Sequence, residues 1–152
     1  MTTAEERYIK PKHATNIFND AVAHLTRLGV SVYGSRVLAV RGRKSGEWRT
    51  NPVNPLRMAD GTRYLVAPRG NTHWVRNLRA VGTGELRVGR KVEPFTATEI
   101  ADDAKPVILR AYLKHWKFEV GVFFDGVDAK APEAKLREIA PGYPIFRIEP
   151  AR

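Results

Sequence analysis

Short strand-forming runs separated by tight turns fill the middle of the chain, and this punctuation constrains the fold more than any other feature. Arg36-Val37-Leu38-Ala39-Val40-Arg41 is an apolar run closed by the polar turn Gly42-Arg43-Lys44-Ser45-Gly46. The stretch from Trp48 to Met58 reads as its partner strand. Pro52 and Pro55 cannot donate to a ladder, so that stretch belongs at a sheet edge or carries a bulge. Asp60-Gly61 is a hairpin signal, with Tyr64-Leu65-Val66-Ala67 as the third strand. Glu85 to Gly89 and Val92 to Thr98 read as a second hairpin about Gly89-Arg90-Lys91, and Tyr143 to Glu149 as a closing strand.

Helical periodicity interrupts these strands. Residues 14 to 28 set Ile17, Phe18, Ala21, Val22, Leu25 and Leu28 on one face, with Gly29 as the stop. Thr72 to Val81 reads as a short helix capped by Thr72, with Trp74, Leu78 and Val81 on one side. A longer helix is expected from Asp102 or Asp103 to about Lys117, with Pro106 in its first turn, and a shorter one from Pro132 to Ile139. Strands joined by tight turns with helices inserted between them point to an α+β barrel, mostly antiparallel, rather than a Rossmann sheet. No repeat or flexible linker divides the 152 residues, so we expect one domain over 1–152, its first 34 residues a helical segment ahead of the barrel.

There is no cysteine, which removes disulfide scaffolds, thiolate metal sites and cysteine nucleophiles together. The N-terminus Met1-Thr2-Thr3-Ala4-Glu5-Glu6-Arg7 lacks the apolar core of a secretory signal. No apolar run approaches the roughly 20 residues that span a bilayer. The expectation is a cytoplasmic chain, with the amphipathic face of residues 14 to 28 leaving open peripheral association at the inner face of the membrane.

The net charge is +10, and its distribution says more than its total. From Arg36 to Lys91 there are thirteen Lys and Arg but only three acids, Glu47, Asp60 and Glu85. The rest of the chain is balanced, so the whole excess lies in the middle. Such a field attracts an anionic partner: a nucleic acid, a membrane surface or a phosphorylated small molecule.

Most catalytic signatures fail. His13, His24, His73 and His115 lack the spacing of a metal motif, so no metal site is expected. Ser45 is not in the strand-to-helix context of a hydrolase nucleophile. Neither a P-loop nor a dinucleotide fingerprint occurs; Gly82-Thr83-Gly84 does not continue into one. What remains is Gly42 to Gly46 with Arg49 after it. A tight turn can aim backbone N–H groups at one point, Lys44 adds a point charge, Ser45 a hydroxyl, and Arg43 or Arg49 a bidentate fork. Those parts suit a phosphate or carboxylate, although Arg41 to Lys44 also resembles a basic arm for a DNA minor groove.

The run from Val40 to Pro52 resembles the phosphate-binding segment of the deazaflavin-dependent nitroreductases. Tyr64 to Ala67 and Trp74-Val75-Arg76-Asn77-Leu78 match the same family in the same order, and Tyr143 to Ile148 looks like its closing strand. The resemblance implies a split β-barrel that binds coenzyme F420, an anionic deazaflavin with a phosphate and an oligoglutamate tail. It implies that Arg43, Lys44, Ser45 and Arg49 hold the phosphate or tail and that Asn51, Pro52 and Val53 lie near the ring system. Ala67, Pro68, Arg69 and Gly70 would line the deazaflavin side, with Trp74 and Asn77 completing the pocket. Trp74 and Leu78 read equally well as core, and Asn77 as a tie from the helix to a neighbouring backbone group. Pro68-Arg69-Gly70 departs from the small or hydroxyl residues usual after this strand, and the loop before Trp74 is shorter.

The activity implied is hydride transfer from F420H2 to a small electron-poor acceptor such as a quinone, activated alkene or nitroaromatic, which needs no protein nucleophile. Tyr112, His115 and Tyr143 are the candidates for a proton donor, and the aromatic segment from Tyr112 to Phe124 reads as either a substrate wall or packing. The alternatives are an F420 carrier without efficient turnover, a split barrel that binds FMN, and a nucleic-acid-binding module. The sequence leaves monomer and homodimer equally open.

Overall fold

The Asn54-Pro55 step divides the stretch between Trp48 and Met58 into separate strands. The computed structural model describes residues 7–9 and 36–151; the helix expected over residues 14 to 28 lies outside the described residues. Seven strands are described: β1 (Arg36–Arg41), β2 (Trp48–Val53), β3 (Leu56–Arg57), β4 (Arg63–Val66), β5 (Thr83–Val88), β6 (Lys91–Glu99) and β7 (Ile145–Pro150). They form one sheet in the order β2-β1-β5-β6-β7-β4-β3, every pairing antiparallel. The expected single partner strand is thus corrected to two. Pro52 stands in edge strand β2, and Asn54-Pro55 separates it from β3 at the opposite edge.

That connection forces closure. Laid flat, seven strands at a spacing of about 4.8 Å would put the outer two roughly 29 Å apart. Val53 and Leu56 are three residues apart and can be separated by at most about 11 Å. The sheet therefore curls until its two edges meet at this corner, giving a barrel split between β2 and β3. The indole N–H of Trp116 donates to the Pro55 carbonyl at 3.2 Å and ties the corner to a helix.

The two-residue period of the strands sorts the core into two. Register sets Leu38 opposite Leu86, Gly84 opposite Phe95, Ala97 opposite Ile148 and Leu65 opposite Phe146. These residues, with Val40, fill the barrel interior, and Trp74, Val75 and Leu78 of α1 (His73–Val81) close one end. On the outer face Leu56, Val66 and Ile145 pack against Ile108, Leu109, Tyr112, Leu113 and Trp116 of α2 (Lys105–Val120) and Leu136 of α3 (Glu133–Ile139). Each fully buried leucine or isoleucine contributes about 1.5–3 kcal/mol.

Most of the expected elements are found within a few residues of their expected bounds. Pro106 stands in the first turn of α2, behind a 3₁₀ turn over Asp102–Ala104. The buried Lys105 ammonium locks this junction, donating to Asp102 at 2.6 Å and to the Ala140 carbonyl at 3.1 Å. Two expectations for α1 need correction. Thr72 holds the N-cap position but makes no side-chain cap; its own N–H donates to the Gly70 carbonyl, and the start of the helix is held through backbone. Val81 is 37% exposed, because the helix ends there at Gly82 and turns straight into β5. Among the described residues no helix is long and apolar enough to cross a membrane.

Candidate functional site

The end of the barrel closed by α1 gathers most of the cations singled out in the sequence. The turn between β1 and β2 is braced from within: the Gly42 N–H donates to the Glu47 carbonyl at 2.7 Å, and the Gly46 N–H to the Gly42 carbonyl at 2.9 Å. Gly46 has φ +72°, a left-handed conformation that glycine adopts without strain. The Ser45 hydroxyl accepts from the Glu47 N–H at 3.2 Å and keeps its own proton for another partner. Among the described residues the N–H groups of Lys44 and Ser45 have no acceptor, which leaves two donors on an exposed basic turn.

The turn is moored to the helix by one side chain. The Asn77 side-chain carbonyl accepts from the Arg43 N–H at 3.1 Å and from the Arg43 guanidinium at 2.7 Å. Asn77 is 4% exposed, so its acceptor works in a poorly solvated setting where a hydrogen bond is stronger. The tie from Asn77 to a neighbouring backbone group is thus observed. Lys44 and Arg49 stay exposed, and among the described residues the carboxylate paired with Arg49 is that of Glu47, at 3.7 Å.

A second turn, Ala67 to Asn71, runs from the end of β4 into α1. Asn77 lies five residues beyond Thr72, about 7.5 Å along the helix axis, so both turns stand at the same end of the barrel. Arg69 is half-buried with its guanidinium 5.2 Å from the centre of the Phe123 ring, and burial lowers its pKa from the usual arginine range. Among the described residues Arg43, Lys44 and Arg69 have no carboxylate within ion-pair reach.

The residues expected around a ring system divide. Arg49, Asn51 and Val53 share the face of β2 that carries Val40 and Leu38 on β1, the barrel-interior face. Pro52 projects to the opposite face with Trp48 and Thr50, because neighbours in a strand alternate. Ala67 is 1% exposed and Trp74 9%; both belong to the interior core, with Trp74 inclined on Phe146 at 6.1 Å. Gly70 is buried beneath the backbone of Arg7. Pro68, Arg69 and Asn51 remain partly exposed.

Of the three proton-donor candidates, Tyr112 and Tyr143 meet on Phe124 in the outer core, while His115 stands apart on the surface. Tyr112 is buried in the outer core against Phe124, and His115 is exposed, edge-on to Trp116. Tyr143 is buried, its hydroxyl donating to the Phe123 carbonyl, and burial pushes its pKa up to about 12. Within the aromatic segment Tyr112, Trp116 and Phe124 serve as packing. An open concavity of about 560 Å³ lies elsewhere, on the outer face among Met58, Tyr64, Ile100, Val107, Ile108 and Arg147. It contains none of the residues expected at the site, and the chemistry of the donors favours the cationic end.

Sequence reasoning missed Arg7, whereas Phe123 lay within the aromatic segment it singled out and is found with its ring against the Arg69 guanidinium. No periodicity marks Arg7; the one available signal was Gly70, since a glycine beside a strand end often admits a close backbone.

Residues 14–129 match the model of a family described as F420H(2)-dependent quinone reductase. No curated protein matches the chain. Among solved structures, one described as an F420-H2 dependent reductase (FDR-A) is 20% identical with a TM-score of 0.50, the alignment covering 76% of this chain and 93% of that one. The heme storage protein HutZ from Vibrio cholerae is 11% identical with a TM-score of 0.50, covering 95% of this chain and 92% of that one. At these identities the structural likeness establishes the split-barrel fold alone.

Proposed function

Since the chain belongs to the F420H2-dependent quinone reductase family, a family of oxidoreductases whose cofactor is coenzyme F420, we propose that it reduces a small electron-poor acceptor of the quinone class. The observation that carries the site assignment is the pair of basic turns at the α1 end, with three cations unmatched by any carboxylate among the described residues. An anion with a phosphate and several carboxylates suits that donor set: forks from Arg43, Arg49 and Arg69, a point charge from Lys44, and hydrogen-bond donors from the Lys44 and Ser45 turn. The residues therefore fit the group.

Bound reduced F420 supplies the hydride. This chain's part is to bind and orient. Asn77 holds the Arg43 turn at a fixed place on α1, so its cations are positioned before any ligand arrives. Such preorganisation cuts the entropy cost of binding. Asn51 and Val53 border the same interior face and would flank the ring system, while the packed barrel beneath them excludes water. Tyr143, with its proton held at neutral pH and already donated to Phe123, is a poor source of the accompanying proton; solvent at the open end supplies it more readily.

The test is an equilibrium titration of the purified protein with F420, followed by cofactor fluorescence, with FMN in parallel. Saturable binding of F420 at micromolar concentration or below, with FMN much weaker, supports the assignment. Tight FMN binding without F420 binding would overturn it. Turnover of F420H2 with menadione then separates a reductase from a carrier.

A further inference from the structure

We propose that Arg7 is a positioning residue for the Arg69 cation, an inference that rests on the cofactor site just described. Arg7 reaches across the molecule to a cradle of backbone and phenol oxygens. Its guanidinium donates to the Phe123 carbonyl at 2.8 Å, the Gly142 carbonyl at 3.1 Å and the Tyr143 hydroxyl at 3.2 Å. It also lies 4.1 Å from the centre of the Tyr143 ring, which stacks on Phe124 at 4.3 Å. Three acceptors at different points call for a planar fork with several N–H groups, which an ammonium lacks.

The backbone of the same short segment grips the Arg69 turn on both sides of Gly70. The Ile9 N–H donates to the Arg69 carbonyl at 2.9 Å, and the Asn71 N–H donates to the Arg7 carbonyl at 2.8 Å. Gly70 permits this approach, because a Cβ there would stand 2.2 Å from the Arg7 carbonyl oxygen, at φ +86°. The far end of Arg69 is placed by Phe123, whose ring lies under its guanidinium and whose carbonyl is held by Arg7. The Arg7 segment therefore sets Arg69 twice, through the backbone of Arg7 and Ile9 on either side of Gly70 and through the Phe123 ring that supports its charge. Nothing in this arrangement needs Arg7 to touch the cofactor.

The test is a double-mutant cycle read by F420 fluorescence titration, with the thermal midpoint of the cofactor-free protein measured beside it. Arg69→Ala and Arg7→Ala should each weaken F420 binding about tenfold. In the Arg69→Ala background, Arg7→Ala should add less than about a twofold change, because the cation it positions is gone. A purely structural role would give additive losses. With menadione as acceptor, Arg7→Ala should raise the KM for F420H2 and leave kcat at saturation within about twofold. If Arg7→Ala does not fold, Gly70→Ala displaces the segment with both arginines retained and should weaken binding to the same degree, and Arg7→Lys should recover only part of the affinity. Loss of affinity in Arg69→Ala but not in Arg7→Ala or Gly70→Ala, or additive losses, overturns the positioning role while the cofactor site stands. Unchanged affinity in Arg69→Ala overturns both.

Discussion

Arg43 reaches the side-chain carbonyl of Asn77 with two donors at once, its backbone N–H at 3.1 Å and its guanidinium at 2.7 Å. The pairing joins residues 34 positions apart and fixes the internally braced turn against α1. Removing the acceptor leaves the Arg43 turn without its mooring.

Asn77→Ala should cost about 1–3 kcal/mol of stability through the lost hydrogen bonds, and it should weaken F420 binding as well. Asn77→Asp keeps an acceptor facing an arginine and should preserve most of the affinity. Urea unfolding and the F420 titration read the two effects separately. Full F420 affinity in Asn77→Ala would show that the mooring has no part in binding.

Lys44→Ala and Arg49→Ala should each weaken F420 binding by roughly 1–3 kcal/mol, the scale of charge-assisted hydrogen bonds. Both side chains are exposed, so raising the salt concentration should weaken binding in the wild type more than in either variant. Dissociation constants that match the wild type in both variants would remove the β1–β2 turn from the site.

Burial pushes the Tyr143 phenol up to about 12, above its value in an unfolded chain. A group whose pKa is raised by folding stabilises the fold fully below its unfolded pKa, about 10 for tyrosine, and the contribution fades as pH climbs toward the folded value. The loss should amount to about 2 kcal/mol between roughly pH 10 and pH 12. Tyr143→Phe, which cannot ionise, should be less stable at neutral pH and should show a flatter decline through this window. Identical slopes in the two proteins, measured by denaturant unfolding, would contradict the assignment.

Gly84 faces Phe95 across the β5–β6 pair, and a Cβ there would stand 2.7 Å from the Phe95 ring and 2.9 Å from the Ala39 carbonyl. Gly84→Ala should destabilise the barrel by about 1–3 kcal/mol, the usual cost of overpacking. Phe95→Leu added to it should relieve part of that loss, so the two changes should combine non-additively in thermal unfolding.

Local chemistry already settled much of this protein in its sequence. The run Arg36 to Arg41, the turn at Gly42 to Gly46 and the hairpins at Asp60-Gly61 and Gly89 were legible because turn residues and short apolar runs act over a few positions. Pro52 and Pro55 marked an edge for the same reason. The basic middle segment and its resemblance to F420-binding reductases were legible too, since charge and motif order survive without coordinates. Tertiary structure alone decided the rest. Residue alternation says that Asn51 and Pro52 face opposite ways, but only the pairing with Leu38 and Val37 shows which faces inward. Trp74 and Asn77 became core and mooring through contacts with Phe146 and Arg43, and Arg7 found its acceptors more than a hundred positions away. Such contacts depend on how a closed sheet folds back on itself, and no periodicity in the chain encodes them.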